Sequence, residues 1–333
     1  MLTFSNQYLE AAAGVALMLD LPAGPSETLV ASTDRVVLRR LLELHHVPVP
    51  PWSQADDPET AAYQSDRLGY PVTFTGRTGT GPQSVQVRSR SKVPAAFDRF
   101  FLESHSGVFI EQDAAEPQVS AETVVLNDDI RIVAVTHHLL GPAPARAPLR
   151  HMVHAHDPLL HNPVLRRIIG RAVRALRISH GVIHITMRLT TRGPRVTDIA
   201  AHLPSDLIPL LVKQATGIDL PQVAADIATG KTPTLTPTRH RAAAVHFAYS
   251  DRGGRLKRLH VPQATDDPLV ERCALTQQSG ARIRPLPLAG VEDRLAHWVV
   301  LGPNKASCLN SLDQAAQRIQ ITLSETFDHS HAA

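Results

Sequence analysis

The amino-acid sequence predicts an α+β fold made of more than one unit, and three observations predict it. Across residues 69–136, short apolar runs are separated by turn residues and interrupted by one amphipathic stretch, the pattern of a small sheet with a covering helix. Across residues 182–201, two runs alternate apolar and polar side chains about a turn at Arg192, Gly193 and Pro194, as a half-buried antiparallel pair requires. Beyond the Pro/Thr-rich residues 232–238, strand-like and short helical segments alternate to the C-terminus. At 333 residues, 43% hydrophobic and 20% charged, the chain is long enough to bury such a core and too apolar to be disordered.

The elements follow in order. Asp34 is placed to cap a helix in which Val37, Leu41 and Leu44 recur at helical spacing, and Pro48, Pro50 and Pro51 stop it. Residues 71–75 read as a strand, 75–81 as a Gly-rich turn and 84–89 as a second strand. A helix over 92–103 presents Val93, Phe97, Phe100 and Phe101 on its apolar side. Strands over 108–111, 119–126 and 130–136 complete the set, the last two joined by hairpin residues Asn127, Asp128 and Asp129. After a Pro-rich connection, 141–148, Asn162 caps a helix with Pro163 in its first position and Leu165, Ile168, Ile169, Ala172, Ala175 and Leu176 as its buried stripe. In the long hairpin, Ile183, Ile185, Met187 and Leu189 share one face; Val182, His184, Thr186 and Arg188 share the other. On the returning strand, Val196, Asp198 and Ala200 are expected on one face. Two short helices follow, 207–216 ending at Gly217 and 221–229 ending at Gly230.

Composition argues against several function classes. A net charge of +3, aromatics at 4% and one short basic run at 252–258 do not make the basic stripe of a nucleic-acid binder. Cys273 and Cys308 stand alone, without zinc or disulfide spacing. No apolar run approaches the ~20 residues of a membrane span, and no signal peptide precedes residue 30, so a cytoplasmic protein without membrane partners is expected. Eighteen histidines invite a metal reading. His151, His154, His156 and His161 crowd one loop, with His180 and His184 near in sequence; the run is either a chelating cluster or an exposed loop. His329 and His331 lie in a polar tail.

At the long hairpin the sequence resembles the ATP-grasp superfamily, most of all the carboxylate–amine ligases that join amino acids, a branch related to biotin carboxylase. The pieces run in order over nearly the whole chain: Asp34 and Arg35 opening a helix; Gly69, Tyr70 and Pro71 before the Gly-rich loop; Glu111 and Gln112, then Gln118 to Glu122 at the next strand; Gly181 to His184; Gly193 to Asp198; and Ile208, Pro209, Ala215 and Gly217. The resemblance implies two α+β subdomains with a nucleotide cleft between them, plus a C-terminal β-rich extension. It divides the chain into residues 1–65, a remnant of an N-terminal domain with a linking helix; 66–140, the small ATP-grasp subdomain; 141–235, the large one; and 236–333, a C-terminal α/β lid. Relatives begin with a complete α/β domain, whereas only residues 1–33 precede Asp34 here, which implies either a shortened natural form or a start assigned too late.

Such ligases phosphorylate a carboxylate with ATP and Mg²⁺ and let an amine attack the acyl phosphate. That needs cations on the phosphates, carboxylates on the metal and glycines where backbone approaches phosphate. Gly76, Gly79, Gly81 and Ser84 read either as a phosphate cradle or as a flexible turn. Thr75 stands where the family places a phosphate lysine. Arg35 stands at the other lysine position, where it is either a phosphate ligand or an exposed helix residue. The metal positions fall on Thr186 and Asp198; the family's following asparagine and arginine are Ala200 and His202. Asp198 is thus either a metal ligand or a solvated strand residue. The adenine hinge is Glu111, Gln112, Asp113 and Ala114, with Glu122 retained beyond it. Asp198, His202 and Arg188 are the catalytic candidates, and His184 is the one histidine placed towards the cleft, where it is either a site residue or a satisfied structural histidine. Two functions follow: a ligase acting on an amino acid or other carboxylate through an acyl phosphate, or a catalytically degenerate relative that binds nucleotide or metabolite. A homodimer or a pairing with an intact ligase is the expected assembly.

Overall fold

A computed structural model describes residues 8–19, 33–78, 84–104, 107–113, 116–127, 129–261 and 267–324. Two helices lead, α1 (Leu9–Met18) and α2 (Arg35–Leu44). Asp34 caps α2 as expected: its Oδ1 accepts from the N–H groups of Val36 and Val37 at 2.9 and 3.1 Å.

The first sheet is built from β1 (Trp52–Ala55), β2 (Val72–Gly76), β3 (Val85–Val87) and β4 (Val108–Gln112), all antiparallel in the order β1-β4-β2-β3. Helices α3 (Pro58–Leu68) and α4 (Val93–Ser104) cover one face, packing Ala61, Ala62, Phe97 and Phe100 on Phe74 and Ile110. The strand β1 and helix α3 fall in the stretch assigned from sequence to an N-terminal remnant. They are parts of this sheet and its covering layer.

The second sheet has eight strands, in the order β12-β14-β10-β7-β6-β5-β8-β9. Its members are β5 (Gln118–Leu126), β6 (Asp129–Leu140), β7 (Pro148–His154), β8 (His180–Thr190), β9 (Gly193–Ala200), β10 (Ala242–Ala248), β12 (Val270–Leu275) and β14 (Ala296–Gly302). Residues 118–140, grouped by sequence with the small subdomain, therefore belong to the large sheet. Three C-terminal strands, β10, β12 and β14, widen that sheet. Only β11 (Gly254–His260), β13 (Arg282–Ile283) and β15 (Gln320–Leu323) make a small sheet of their own.

Both faces of the large sheet are covered. On one, α5 (Pro163–Ala175) and α2 bury Leu165, Ile169, Ala172, Leu38 and Leu42 against Val119, Ile183, Ile185 and Met187. On the other, α6 (Ile208–Thr216) and α7 (Leu220–Ala228) pack on Val124, Val182, Val245 and Val299. The last helix, α8 (Lys305–Gln317), seals Ala244, Trp298 and Val300. Asn162 caps α5 and Gly217 ends α6 at φ 86°, both as the sequence predicts. Among the described residues no helix is long and apolar enough to cross a membrane.

One alternation is corrected. Between Thr186 and Met187 the β8–β9 register shifts: Thr186 pairs with Asp198 but Met187 pairs with Val196, leaving Thr197 as the extra residue of a bulge. A single inserted residue flips every later side chain. Val196 is therefore in the core beside Met187, while Asp198 is exposed on the opposite face.

Candidate functional site

Strand period puts a polar row on one face of β5, β6, β8 and β9. Ser120 lies opposite Thr136 and Thr186, Glu122 opposite His184, Gln118 opposite Arg188, and Thr186 opposite Asp198. The same strands' other faces are the core against α5, so the polar row is held by a rigid support.

At its centre is Glu122, 0% exposed. Its Oε1 accepts from the hydroxyls of Ser120 at 2.8 Å and Thr136 at 3.0 Å, and its Oε2 accepts from His184 Nδ1 at 2.8 Å. A buried charge needs such partners, and here three donors engage both oxygens. Burial alone would lower the pKa of His184, but the adjacent Glu122 charge outweighs it and raises the value. The other ring nitrogen, Nε2, lies 3.3 Å from Thr186 Oγ1, which places an imidazole beside a cleft-facing hydroxyl.

A second chain of contacts runs away from Glu122. Ser120 Oγ is 2.8 Å from His138 Nε2, and His138 Nδ1 is 2.8 Å from His151 Nδ1. His138 is held well below the usual histidine pKa by burial and then by the neighbouring histidines. His151 Nε2 lies 3.6 Å from Asp206. The Asp206 carboxylate accepts a two-pronged bond from Arg294 at 2.7 and 2.9 Å, and burial, which would raise its pKa, is outweighed by these donors so that the value is lowered. The Arg294 guanidinium also bonds Tyr249 and lies 3.8 Å over the Phe247 ring. Asp206 and Leu207 both adopt left-handed φ, 56° and 65°, ahead of α6, a strained turn that the Arg294 fork fixes.

The histidines grouped in sequence as one loop do not gather into one cluster: His154 and His156 are neighbours, ring centroids 6.0 Å apart, with His156 stacked on His240 at 5.0 Å, but the others lie apart. His151 and His154 are on β7, three residues apart and so on opposite faces of the sheet. His161 is exposed, and His180 bonds Asn127 at 2.8 Å. His329 and His331 lie outside the described residues. Among the described residues no group of three His, Cys, Asp or Glu side chains is arranged to hold a metal ion.

The hinge residues and Arg188 meet at the junction of the two sheets. Glu111 is buried in an ion pair with Arg39, and Arg188 reaches it at 3.5 Å. Asp113 pairs with Arg146 and, at 3.2 Å, with Arg188, and accepts from Gln86. Arg188 also donates to the Gln112 carbonyl at 3.3 Å, and the Gln112 amide holds Leu68 O at 3.0 Å. Arg188, a catalytic candidate by sequence, is thus bonded to three consecutive hinge residues. Arg35 donates to the Gly76 carbonyl at 3.0 Å, at the end of β2. His202 Nδ1 turns to the Leu203 carbonyl at 2.7 Å, and burial lowers its pKa. Gly79, Gly81 and Ala114 lie outside the described residues; Ser84 resumes the chain before β3.

On the face of the small sheet opposite Phe74, four polar groups are buried without a hydrogen-bond partner among the described residues: the Thr73 and Thr75 hydroxyls, Gln54 Oε1 and Arg39 Nε. They surround Phe109 and Glu111, because Thr73 pairs with Glu111 while Thr75 and Gln54 pair with Phe109. Orphaned buried groups are rare in folded chains, so this row is suited to a polar ligand.

The overall fold recurs in known structures. The L-amino acid ligase of Bacillus licheniformis superposes with a TM-score of 0.81 over 97% of this chain and 80% of that one, at 18% identity. The chain has the ATP-grasp fold. Other ATP-grasp structures agree: the phosphoribosylglycinamide synthetase of Anaerococcus prevotii (TM-score 0.69, 14% identity, 96% of this chain and 81% of that one) and the biotin carboxylase domain of Hydrogenobacter thermophilus 2-oxoglutarate carboxylase, a dimer in complex with MgADP, ADP and bicarbonate (0.68, 15%, 94% and 72%). Residues 246–324 match the family model for L-amino acid ligase C-terminal domain 2. No curated protein matches the chain in sequence.

The two groups this fold implies fare differently against the residues present. The orphaned hydroxyls of Thr73 and Thr75, with Arg35 beside them at the end of β2, fit a nucleotide. The residues expected from sequence to hold magnesium are a poor match for that ion: Thr186 carries no charge and Asp198 is a single carboxylate, while the nearby Glu122 has both oxygens engaged.

Proposed function

We propose that this chain is a homologue of ATP-grasp carboxylate–amine ligases of the amino-acid-joining kind in which the nucleotide cleft is kept and ordinary turnover is lost. The observation that carries the reading is the state of the cleft face of the large sheet. Its buried carboxylate, Glu122, is consumed by Ser120, Thr136 and His184, and the metal pair has become Thr186 and Asp198. Phosphoryl transfer depends almost wholly on electrostatic stabilisation, and losing one such contact commonly costs ~100- to 1000-fold in rate. The ligand class is a nucleotide, with an amino acid or other carboxylate as the second ligand, in a cytoplasmic protein that works as a homodimer or beside an intact ligase.

The competing reading is an active ligase, and the match over residues 246–324 favours it. Incubation with ATP, magnesium and pooled amino acids separates the two. The proposal expects a rise in melting temperature with ATP and no release of ADP or phosphate. Release in any pool, abolished by Asp198→Ala, would establish the active ligase instead.

A further inference from the structure

We infer that this cleft takes the phosphates of its nucleotide without a divalent cation. The inference rests on the nucleotide-binding reading above and concerns how the site meets the ligand's charge.

Three observations lead to it. First, the cross-strand pair at the metal positions is Thr186 and Asp198, so one carboxylate remains where bridging ions need several hard oxygen ligands. Second, the neighbouring carboxylate cannot be recruited cheaply. Glu122 is fully buried, so a metal reaches it only if the side chain moves, and moving it breaks the bonds from Ser120, Thr136 or His184 and leaves those donors unsatisfied in the interior. Third, His184 lies between Glu122 and Thr186 with Nδ1 committed to Glu122, so its ring fills the space between the buried carboxylate and the metal-position hydroxyl. Among its described residues, the small-sheet side supplies no substitute from its buried acids. Its buried acids, Glu111 and Asp113, are each paired with arginines. What that side does offer to phosphate is nitrogen and hydroxyl: Arg35 at the end of β2 and the unpartnered Thr75 hydroxyl. Phosphate oxygens accept from such donors directly, as at helix N-termini and backbone nests, with no ion between.

The experiment is isothermal titration of the full chain with ADP and with pyrophosphate, in EDTA and in saturating magnesium chloride. The expected result is an ADP dissociation constant in EDTA within about threefold of that in magnesium. Binding at least about tenfold tighter in magnesium overturns the inference and leaves the nucleotide reading standing. Absence of ADP binding in both buffers overturns both. Electron paramagnetic resonance of Mn²⁺ gives an independent measure: with ADP present the manganese signal should match that of Mn²⁺ and ADP without protein. A protein-bound manganese signal would overturn the inference, and Thr186→Glu, which returns the second carboxylate, is expected to create one.

Discussion

Replacing Glu122 with glutamine tests the centre of the site with almost no change of shape. The wild-type carboxylate accepts two hydroxyl bonds and one imidazole bond in a fully buried position. Hydrogen bonds to charged groups contribute ~1.5–3 kcal/mol, and an unsatisfied buried donor costs a similar amount. In Glu122→Gln the oxygen facing Ser120 and Thr136 survives, while the amide nitrogen meets His184 Nδ1. The loss should therefore sit on the histidine bond. It should also depend on pH. Burial pulls the His184 pKa down, but Glu122 outweighs it, so the folded value lies above the unfolded one. The folded chain then holds the extra proton, and the pair's contribution is complete below about pH 6.5 and is lost as pH rises through the folded value. Urea unfolding should show Glu122→Gln costing ~2–3 kcal/mol at about pH 6 and ~1 kcal/mol at about pH 9. An equal cost at both pH values, or a larger one at the higher, would refute the assignment of His184 as the ion partner of Glu122.

Three further outcomes follow from the packing. His246, held down to about 4 by burial and then by Arg150, accepts from Arg150 Nε at 2.9 Å and must stay neutral there. The unfolded chain binds that proton first, so stability should fall by up to ~3 kcal/mol as pH drops from about 6.5 towards 4, and His246→Gln should flatten this part of the urea-midpoint profile. Arg294→Lys keeps the charge but loses the fork onto Asp206 and the stacking on Phe247; a loss of ~2 kcal/mol is expected in urea unfolding, and a loss below ~0.5 kcal/mol would show the fork to be energetically idle. Leu165→Ala, at a position 0% exposed under α5, should cost ~2–5 kcal/mol by the same measurement.

Elements whose pattern is complete within their own residues were legible in sequence. The α5 stripe, the Asp34 and Asn162 caps and the Ile183, Ile185 and Met187 face all stand where periodicity puts them. The strand β1 was not legible: its four residues, Trp, Ser, Gln and Ala, have no alternation, and the Ala-rich α3 shows a cap but little apolar stripe. The bulge at Thr197 was hidden because it is a property of two strands together. Glu122 and His184 were each placed in the cleft, yet their bond joins residues 62 apart and needs the β5–β8 register. The chain through His138, His151, Asp206 and Arg294 draws on two strands and two loops. The one local clue was the period-2 spacing of Thr136 and His138, past the point where the strand was expected to end.

Along β8 the odd and even positions answer to different demands. Ile183, Ile185 and Met187 touch only the core, and His184, Thr186 and Arg188 touch only the cleft and its rim. Chemistry on this strand can therefore be rewritten at alternate residues without repacking the domain beneath. A designer wishing to reinstall an acidic ligand at Thr186, or to remove the imidazole at His184, would be working on a plate already fastened from behind. The two edits would first have to be reconciled with each other and with Glu122, and only afterwards with the stability of the fold.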